Sequence, residues 1–559
     1  MPIEAGGHPA PDQAADARLF LYDTTLRDGA QSEDVLFSLE DKLRILERLD
    51  ALGIDYVEGG WPGAIPKDGL FFKEAMRQPL RHARLVVFGS TAKPGVPVAA
   101  DGVLADLLAA GTGAVCIFGK SWDLHVQRAL GISLEANLAL IHDSVRYLKS
   151  RSDIVFFDAE HFFDGYKANP EYALKSLGAA RDAGAEALIL CDTNGGTLVD
   201  EVARMTRAAL ALGAPLGIHC HNDSGLAVAN SLAAVVAGAV QVQGTVNGLG
   251  ERCGNTDLLS VIPNLMLKMG RRTGLERERL RELTPLSRFV NELANRPPQR
   301  NQPFVGSSAF THKAGVHASA VLKDPVTYEH LSPELLGNRR RIPVSEQSGR
   351  SNLVAKFQEF GIDDVRASDP RVGELLAEVK ELELKGYQFD GAEASFELRA
   401  RRALGQVPDY FELRGFRVID ERRLWSDQSR VPGAEATVKV RVAGQTEHLV
   451  AEGQGPVDAL MKALTKALGR YYPGIDEIAL TDFKVRILDG KGTQAVVRVL
   501  IEWRDRQRSW GTVGVSDHII AASYDAMVDA VVFKLFSDGV APAIVPANAF
   551  AAGAPVGSV

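Results

Sequence analysis

Leu19-Phe20-Leu21-Tyr22-Asp23-Thr24-Thr25-Leu26-Arg27-Asp28, residues 19–28, is a short apolar run that breaks off into polar and charged side chains. After it, Leu39, Leu43, Leu46 and Leu49 recur at the spacing of one helix face, and Ser38 with Asp41 has the form of a capping box. A strand, a polar turn and an amphipathic helix make one unit, and the unit repeats. Apolar runs follow at Ile54–Gly59, Arg84–Gly89, Ala114–Phe118, Ile154–Asp158, Ala187–Cys191, Leu216–His221 and Val240–Val246, with helical patterns near Asp101, Ser133, Pro170, Val199, Gly225 and Thr256. Eight strand–helix units in roughly 250 residues is the size of a (β/α)8 barrel. A doubly wound open sheet is the alternative, but no glycine-rich dinucleotide or P-loop fingerprint accompanies these units.

A barrel demands that chemistry collect at the C-terminal ends of its strands. Arg27 and Asp28 follow the first strand, Glu160 the fifth, and Asp192-Thr193 the sixth. His219 and His221 end the seventh, and Asn247–Asn255 follows the eighth. Two residues apart on a strand, His219 and His221 point into one site while Cys220 points away. Two imidazoles with a carboxylate from another strand suit a divalent metal. The plainer alternatives are two ordinary histidines, a surface ion pair at Arg27-Asp28 and a helix N-cap at Asp192-Thr193. Glu160 ends an apolar strand, where a structural role needs a buried partner. Gly248, Gly250 and Gly254 indicate a backbone that approaches something closely.

The 559 residues exceed one ordinary core. The predicted fold class is α/β: a (β/α)8 TIM barrel, then a mostly helical linker region, then a C-terminal α+β domain with an internal repeat. The divisions fall at 1–17 (flexible tail), 18–290 (barrel), 291–405 (linker), 406–545 (C-terminal domain) and 546–559 (flexible tail). In the C-terminal domain, strand-like Ala436–Val442 and Glu447–Ala451 lead into a helix at Pro456–Leu468. Ala495–Trp503 and Ser509–Val515 repeat the pattern into a helix at Ile519–Leu535. The net charge of -8, with no basic cluster, argues against nucleic acid as a partner. No apolar run approaches the roughly 20 residues of a membrane span, so no membrane is expected either. The four cysteines (Cys116, Cys191, Cys220, Cys253) are scattered beside apolar segments, as suits buried thiols in the cytoplasm.

Three stretches carry a resemblance. Leu26-Arg27-Asp28-Gly29-Ala30-Gln31 with Lys42, Leu216–Ala227 around His219-Cys220-His221-Asn222-Asp223, and Gly250-Glu251-Arg252-Cys253-Gly254-Asn255 are similar to the signatures of the 2-isopropylmalate, homocitrate and citramalate synthases. Glu58–Ala64, Phe157–Gly165, Thr193–Gly196, Leu384–Asp390 and Gly453–Ala459 resemble the long-form citramalate synthases within that family. Ala30 stands where isopropylmalate synthases usually carry Glu, and Asp158 where some shorter citramalate synthases carry an aromatic residue.

The resemblance implies a Claisen-type acyltransferase that condenses acetyl-CoA with pyruvate and water to give (R)-citramalate, on the way to isoleucine. It implies Asp28, His219, His221 and Asn255 as ligands of a divalent ion (Mn2+, Mg2+, Zn2+ or Co2+), Arg27 at the substrate oxygen and Thr193 at its carboxylate. It also implies Glu160, His317 and Tyr328 as catalytic, His317 being delivered into a partner's barrel within a homodimer. An amino-acid effector, isoleucine, is expected at the C-terminal domain, where Gly453–Pro456 and Val513–Ser516 put backbone N–H groups at helix starts. The rival readings are an isopropylmalate or homocitrate synthase, a lyase of the 3-hydroxy-3-methylglutaryl-CoA type, and an amino-acid-binding regulator with an inactive barrel.

Overall fold

The computed structural model describes residues 18–344, 348–421, 433–489 and 492–543. Both predicted tails lie outside them. The described chain divides into two compact units, one running to Phe310 and including Leu331–Arg340, the other holding Thr311–His330 and the chain from Arg341.

The first unit is the barrel. β1 (Phe20–Asp23), β2 (Tyr56–Gly60), β3 (Arg84–Ser90), β4 (Ala114–Lys120), β5 (Ile154–Glu160), β6 (Ala187–Asp192), β7 (Leu216–Cys220) and β8 (Gln241–Gly244) pair in parallel in that order, and β8 closes on β1. Alternate residues serve two cores. Leu21, Val87, Val115, Val155, Phe157, Leu188 and Ile218 pack in the outer layer with the helices. Tyr22, Val86, Cys116, Phe156 and Ile189 fill the barrel. Burial on both faces explains why the strands read as near-continuous apolar runs.

Ser38 caps the helix Leu39–Leu52 as expected: its hydroxyl accepts from Asp41 N at 3.1 Å, and the Asp41 carboxylate accepts from Ser38 N at 2.8 Å. Such a cap stabilises a helix by about 1 kcal/mol. The helix Pro66–Ala75 between β2 and β3 is one the periodicity did not reveal. It begins in the turn-like stretch Trp61-Pro62-Gly63-Ala64-Ile65-Pro66 and buries only a short apolar face, Phe71, Phe72 and Ala75. Of the cysteines, Cys116, Cys191 and Cys220 are buried, but Cys253 is exposed in the loop after β8, contrary to the expectation that all four are buried.

In the second unit, the helices Gly315–Lys323, Arg350–Glu359, Pro370–Leu384 and Glu393–Ala403 make up the linker region. β9 (Glu412–Glu421), β10 (Gly433–Val442) and β11 (Gln445–Gly453) form one antiparallel sheet followed by the helix Pro456–Leu468. β12 (Ala479–Ile487), β13 (Val497–Arg504) and β14 (Ser509–Ser516) form another, followed by the helix Ile519–Ser537. The internal repeat is therefore three strands and a helix, where sequence reading finds two strands. The missed strands, β9 and β12, are both edge strands; β12 is exposed or half-exposed along its whole length, although Phe483, Val485 and Ile487 alternate with Lys484 and Arg486. In each repeat a glycine lets the last strand touch its helix: a Cβ on Gly453 would lie 2.3 Å from Ala459 N, and one on Gly514 1.9 Å from Ala522 O. Among the described residues no helix is long and apolar enough to cross a membrane.

Candidate active site

A cavity of about 420 Å3 opens at the C-terminal ends of the barrel strands, lined among others by Arg27, Asp28, Glu160, Thr193, His219 and His221. Strand alternation puts these side chains there: in β5, Phe156 fills the barrel and Asp158 and Glu160 follow on the same side, one step nearer the rim each time.

Asp28, His219 and His221, all buried, each present one ligand atom, and these atoms lie within 4.8 Å of one another. Nε2 of His219 is 3.2 Å from Oδ2 of Asp28, while its Nδ1 lies 2.9 Å from Oε1 of Gln243. Burial acts to raise the Asp28 carboxyl, but the Arg27 guanidinium and the contact with His219 hold it far below the usual carboxylate range. Burial, then the neighbouring His219, pushes His221 down to about 4. His221 is thus a neutral imidazole, and its buried Nδ1 has no hydrogen-bond partner. Asn255 donates to Asp28 Oδ2 at 2.7 Å and lies 3.3 Å from His219 Nε2, with its own Oδ1 buried and unpartnered. A half-turn of that amide would bring the oxygen to the same two neighbours. One carboxylate, two imidazoles and an amide oxygen fit a divalent ion.

The glycines after β8 serve this cluster. A Cβ on Gly250 would sit 1.9 Å from Asn255 Oδ1, and Gly254, at φ +90°, would meet Gly248 O at 2.0 Å. What the backbone approaches closely is its own loop and the Asn255 side chain.

Arg27 is not a surface ion pair. Its Nε donates to Oε1 of the fully buried Glu58 at 2.5 Å, and Tyr22 donates to the other carboxylate oxygen at 2.6 Å. The guanidinium lies 3.9 Å from the Phe88 ring centre and 3.5 Å from Asp28. Phe88 stacks on Phe118 with centroids 5.7 Å apart, and Trp61 meets both edge-on at 6.0 and 5.8 Å. Arg27 thereby joins the prospective metal cluster to an aromatic wall.

Glu160 pairs with Lys120 at the end of β4, but both are only half-buried at the rim, so Lys120 is not the buried partner that a structural role was expected to need. Thr193 Oγ1 accepts from His161 N at 2.9 Å, which leaves the hydroxyl hydrogen free to donate elsewhere. Asp192 accepts from Thr197 and braces the turn after β6, whereas Leu198 occupies the N-cap of the next helix. Glu58, Lys120 and Gln243 gave no signal as site residues, since each is a polar residue whose partner lies on another strand.

His317 and Tyr328 belong to the second unit. Their rings stack with centroids 4.2 Å apart, and both side chains are exposed. The same unit holds a cavity of about 770 Å3, lined by the helix start Gly455-Pro456-Val457-Asp458 with Met461, Leu480, Phe483 and Trp503.

Residues 18–286 match the HMGL-like family model, 304–386 the homocitrate synthase post-HMGL domain-like model, and 390–535 the LeuA allosteric (dimerisation) domain model. The chain is 55% identical over 517 residues to an (R)-citramalate synthase of Geobacter sulfurreducens, covering 92% of this chain and 97% of that one. It is 53% identical over 524 residues to an (R)-citramalate synthase of Aquifex aeolicus, covering 93% and 98%. Against a 2-isopropylmalate synthase of Methanocaldococcus jannaschii, identity falls to 31% over 525 residues, with 92% and 94% covered. The same three-part order as the sequence reading, at this identity and over nearly the whole of both chains, places the chain in the (R)-citramalate synthase family.

Proposed function

We propose that this acyltransferase joins acetyl-CoA to pyruvate and, with water, releases CoA and (R)-citramalate. The observation that carries the reading is the position of Arg27, between Asp28 of the cluster and the Phe88 face of the aromatic wall. Pyruvate has matching ends, a carboxylate beside a ketone and a bare methyl.

Asp28, His219, His221 and Asn255 would hold the ion, and the mixed nitrogen and oxygen donors suit Mn2+, Mg2+, Co2+ or Zn2+. When bound, a divalent ion supplies Lewis-acid polarisation of the 2-oxo acid. The Thr193 hydroxyl, already an acceptor from His161, donates to the substrate carboxylate. His317, with Glu160 and Tyr328 nearby, removes a proton from the acetyl methyl, and the resulting carbon attacks the pyruvate ketone carbon. Arg27, fixed by Glu58, donates to the ketone oxygen as it gains charge. Water then cleaves the thioester, and CoA leaves as the thiol.

The working unit is a homodimer in the cytoplasm, in which His317 completes the partner's site; the match to a LeuA dimerisation domain supports the dimer. The cavity beside Gly455 and Met461 takes a small branched amino acid, isoleucine in this reading, as a feedback effector. Incubation with acetyl-CoA and isotopically labelled pyruvate should release free thiol and labelled citramalate in equal amounts, read by mass spectrometry. Thiol release without labelled citramalate would contradict the proposal.

A further inference from the structure

Beneath the cluster, two buried residues form a chain that ends on His219. Gln243 on β8 is fully buried and in register beside His219 on β7. Its Oε1 lies 2.9 Å from His219 Nδ1, and its Nε2 donates to Asp158 Oδ1 at 3.4 Å. Asp158 on β5 is 4% exposed, and the same Oδ1 accepts from Cys116 Sγ at 3.2 Å.

The inventory of donors fixes the direction of this chain. A carboxylate accepts and does not donate, so Gln243 turns its amino end to Asp158. The opposite orientation would set two acceptor oxygens against each other in a buried site, which is costly. The amide oxygen is therefore the end that meets His219. Because that oxygen only accepts, Nδ1 of His219 carries the hydrogen. A neutral ring then has its bare lone pair on Nε2, the nitrogen that faces Asp28 at 3.2 Å and Asn255 at 3.3 Å.

We propose that Asp158 and Gln243 are positioning residues that set the ring orientation and tautomer of His219, so that Nε2 is presented to the ion. This rests on the metal reading given above. Neither residue is assigned a contact with the ion or the substrate in this role; both act through His219.

The test titrates full-length protein, stripped of metal by chelation, with Co2+ and follows its visible absorbance. Gln243→Leu removes the acceptor and leaves every charge in place. Gln243→Glu, as the carboxylic acid, can donate its O–H to Asp158 and keep its carbonyl oxygen toward His219. We expect Gln243→Leu to bind Co2+ about 10- to 100-fold more weakly with an altered spectrum, and Gln243→Glu to stay within a few-fold of wild type. Circular dichroism checks the fold; if Gln243→Leu does not fold, Asp158→Leu, close in shape but without the oxygen to which Gln243 donates, decides, and it too should weaken binding and alter the spectrum. Variants that match the wild-type affinity and spectrum, while His219→Ala does not, overturn the relay alone. Wild type that takes up Co2+ no better than His219→Ala overturns the metal reading and the relay with it.

Discussion

Glu58 holds the Arg27 guanidinium by its Nε at 2.5 Å from deep inside the barrel, and Tyr22 holds Glu58 in turn. The pair aims Arg27 past Phe88 toward Asp28. Glu58→Gln keeps the shape but removes the charge that fixes the guanidinium. A small misplacement of a charged group at a reacting centre costs about a hundredfold. We therefore expect kcat/KM to fall by about that factor, read by thiol release, with circular dichroism unchanged. Wild-type kinetics in Glu58→Gln would show that Arg27 needs no such support.

The metal cluster gives the next expectation. On the proposed metal reading, alanine at His219 or His221 removes an imidazole ligand, and turnover should drop at least about a hundredfold, a few kcal/mol of lost charge stabilisation. Chelation should silence the wild type, and Mn2+, Mg2+ or Co2+ should restore it. A chelated wild type that stays fully active would remove the metal from the account.

How much of this was legible beforehand follows from strand parity. His219 and His221 could be paired because a period of two puts them on one side of β7, and Asp28 followed from its place after β1. Glu58, Lys120 and Gln243 could not be found that way. Their partners lie on other strands, and contacts across a barrel depend on stagger between strands, which local pattern does not encode. β9 and β12 were missed for another reason: both are edge strands outside the barrel, and the alternation of Phe483, Val485 and Ile487 with Lys484 and Arg486 in β12 was there to be read, whereas the helix Pro66–Ala75 starts in what looks like a turn. The eight barrel strands were legible because each is buried on both faces.

Effector control should reside in the second unit. Met461 lines the 770 Å3 cavity with Leu480, Phe483 and Trp503. Met461→Trp would fill part of that space. It should abolish inhibition by isoleucine while leaving basal turnover within about twofold, since a distant effector acts only through a coupling free energy. Undiminished inhibition would move the effector elsewhere.

The shared-site proposal is tested by subunit exchange. Arg27→Ala and His317→Ala proteins should each be inactive. If His317 serves the partner's barrel, each heterodimer regains one intact site, so an equal mixture recovers about a quarter of wild-type activity for a symmetric dimer. A mixture that stays inactive after proven exchange would show that His317 acts within its own chain or not at all.

The central claim is the identity of the 2-oxo acid, and the wall of Trp61, Phe88 and Phe118 is the feature that bears on it. A pocket closed around a methyl rejects a branched chain by steric clash, a stronger filter than the loss of apolar contact. The direct measurement is kcat/KM for pyruvate, 2-oxobutanoate and 3-methyl-2-oxobutanoate, by thiol release at saturating acetyl-CoA. We predict pyruvate favoured over 3-methyl-2-oxobutanoate by at least about a hundredfold, with 2-oxobutanoate between them. Comparable values for pyruvate and the branched acid would contradict the account and assign the chain the chemistry of a 2-isopropylmalate synthase.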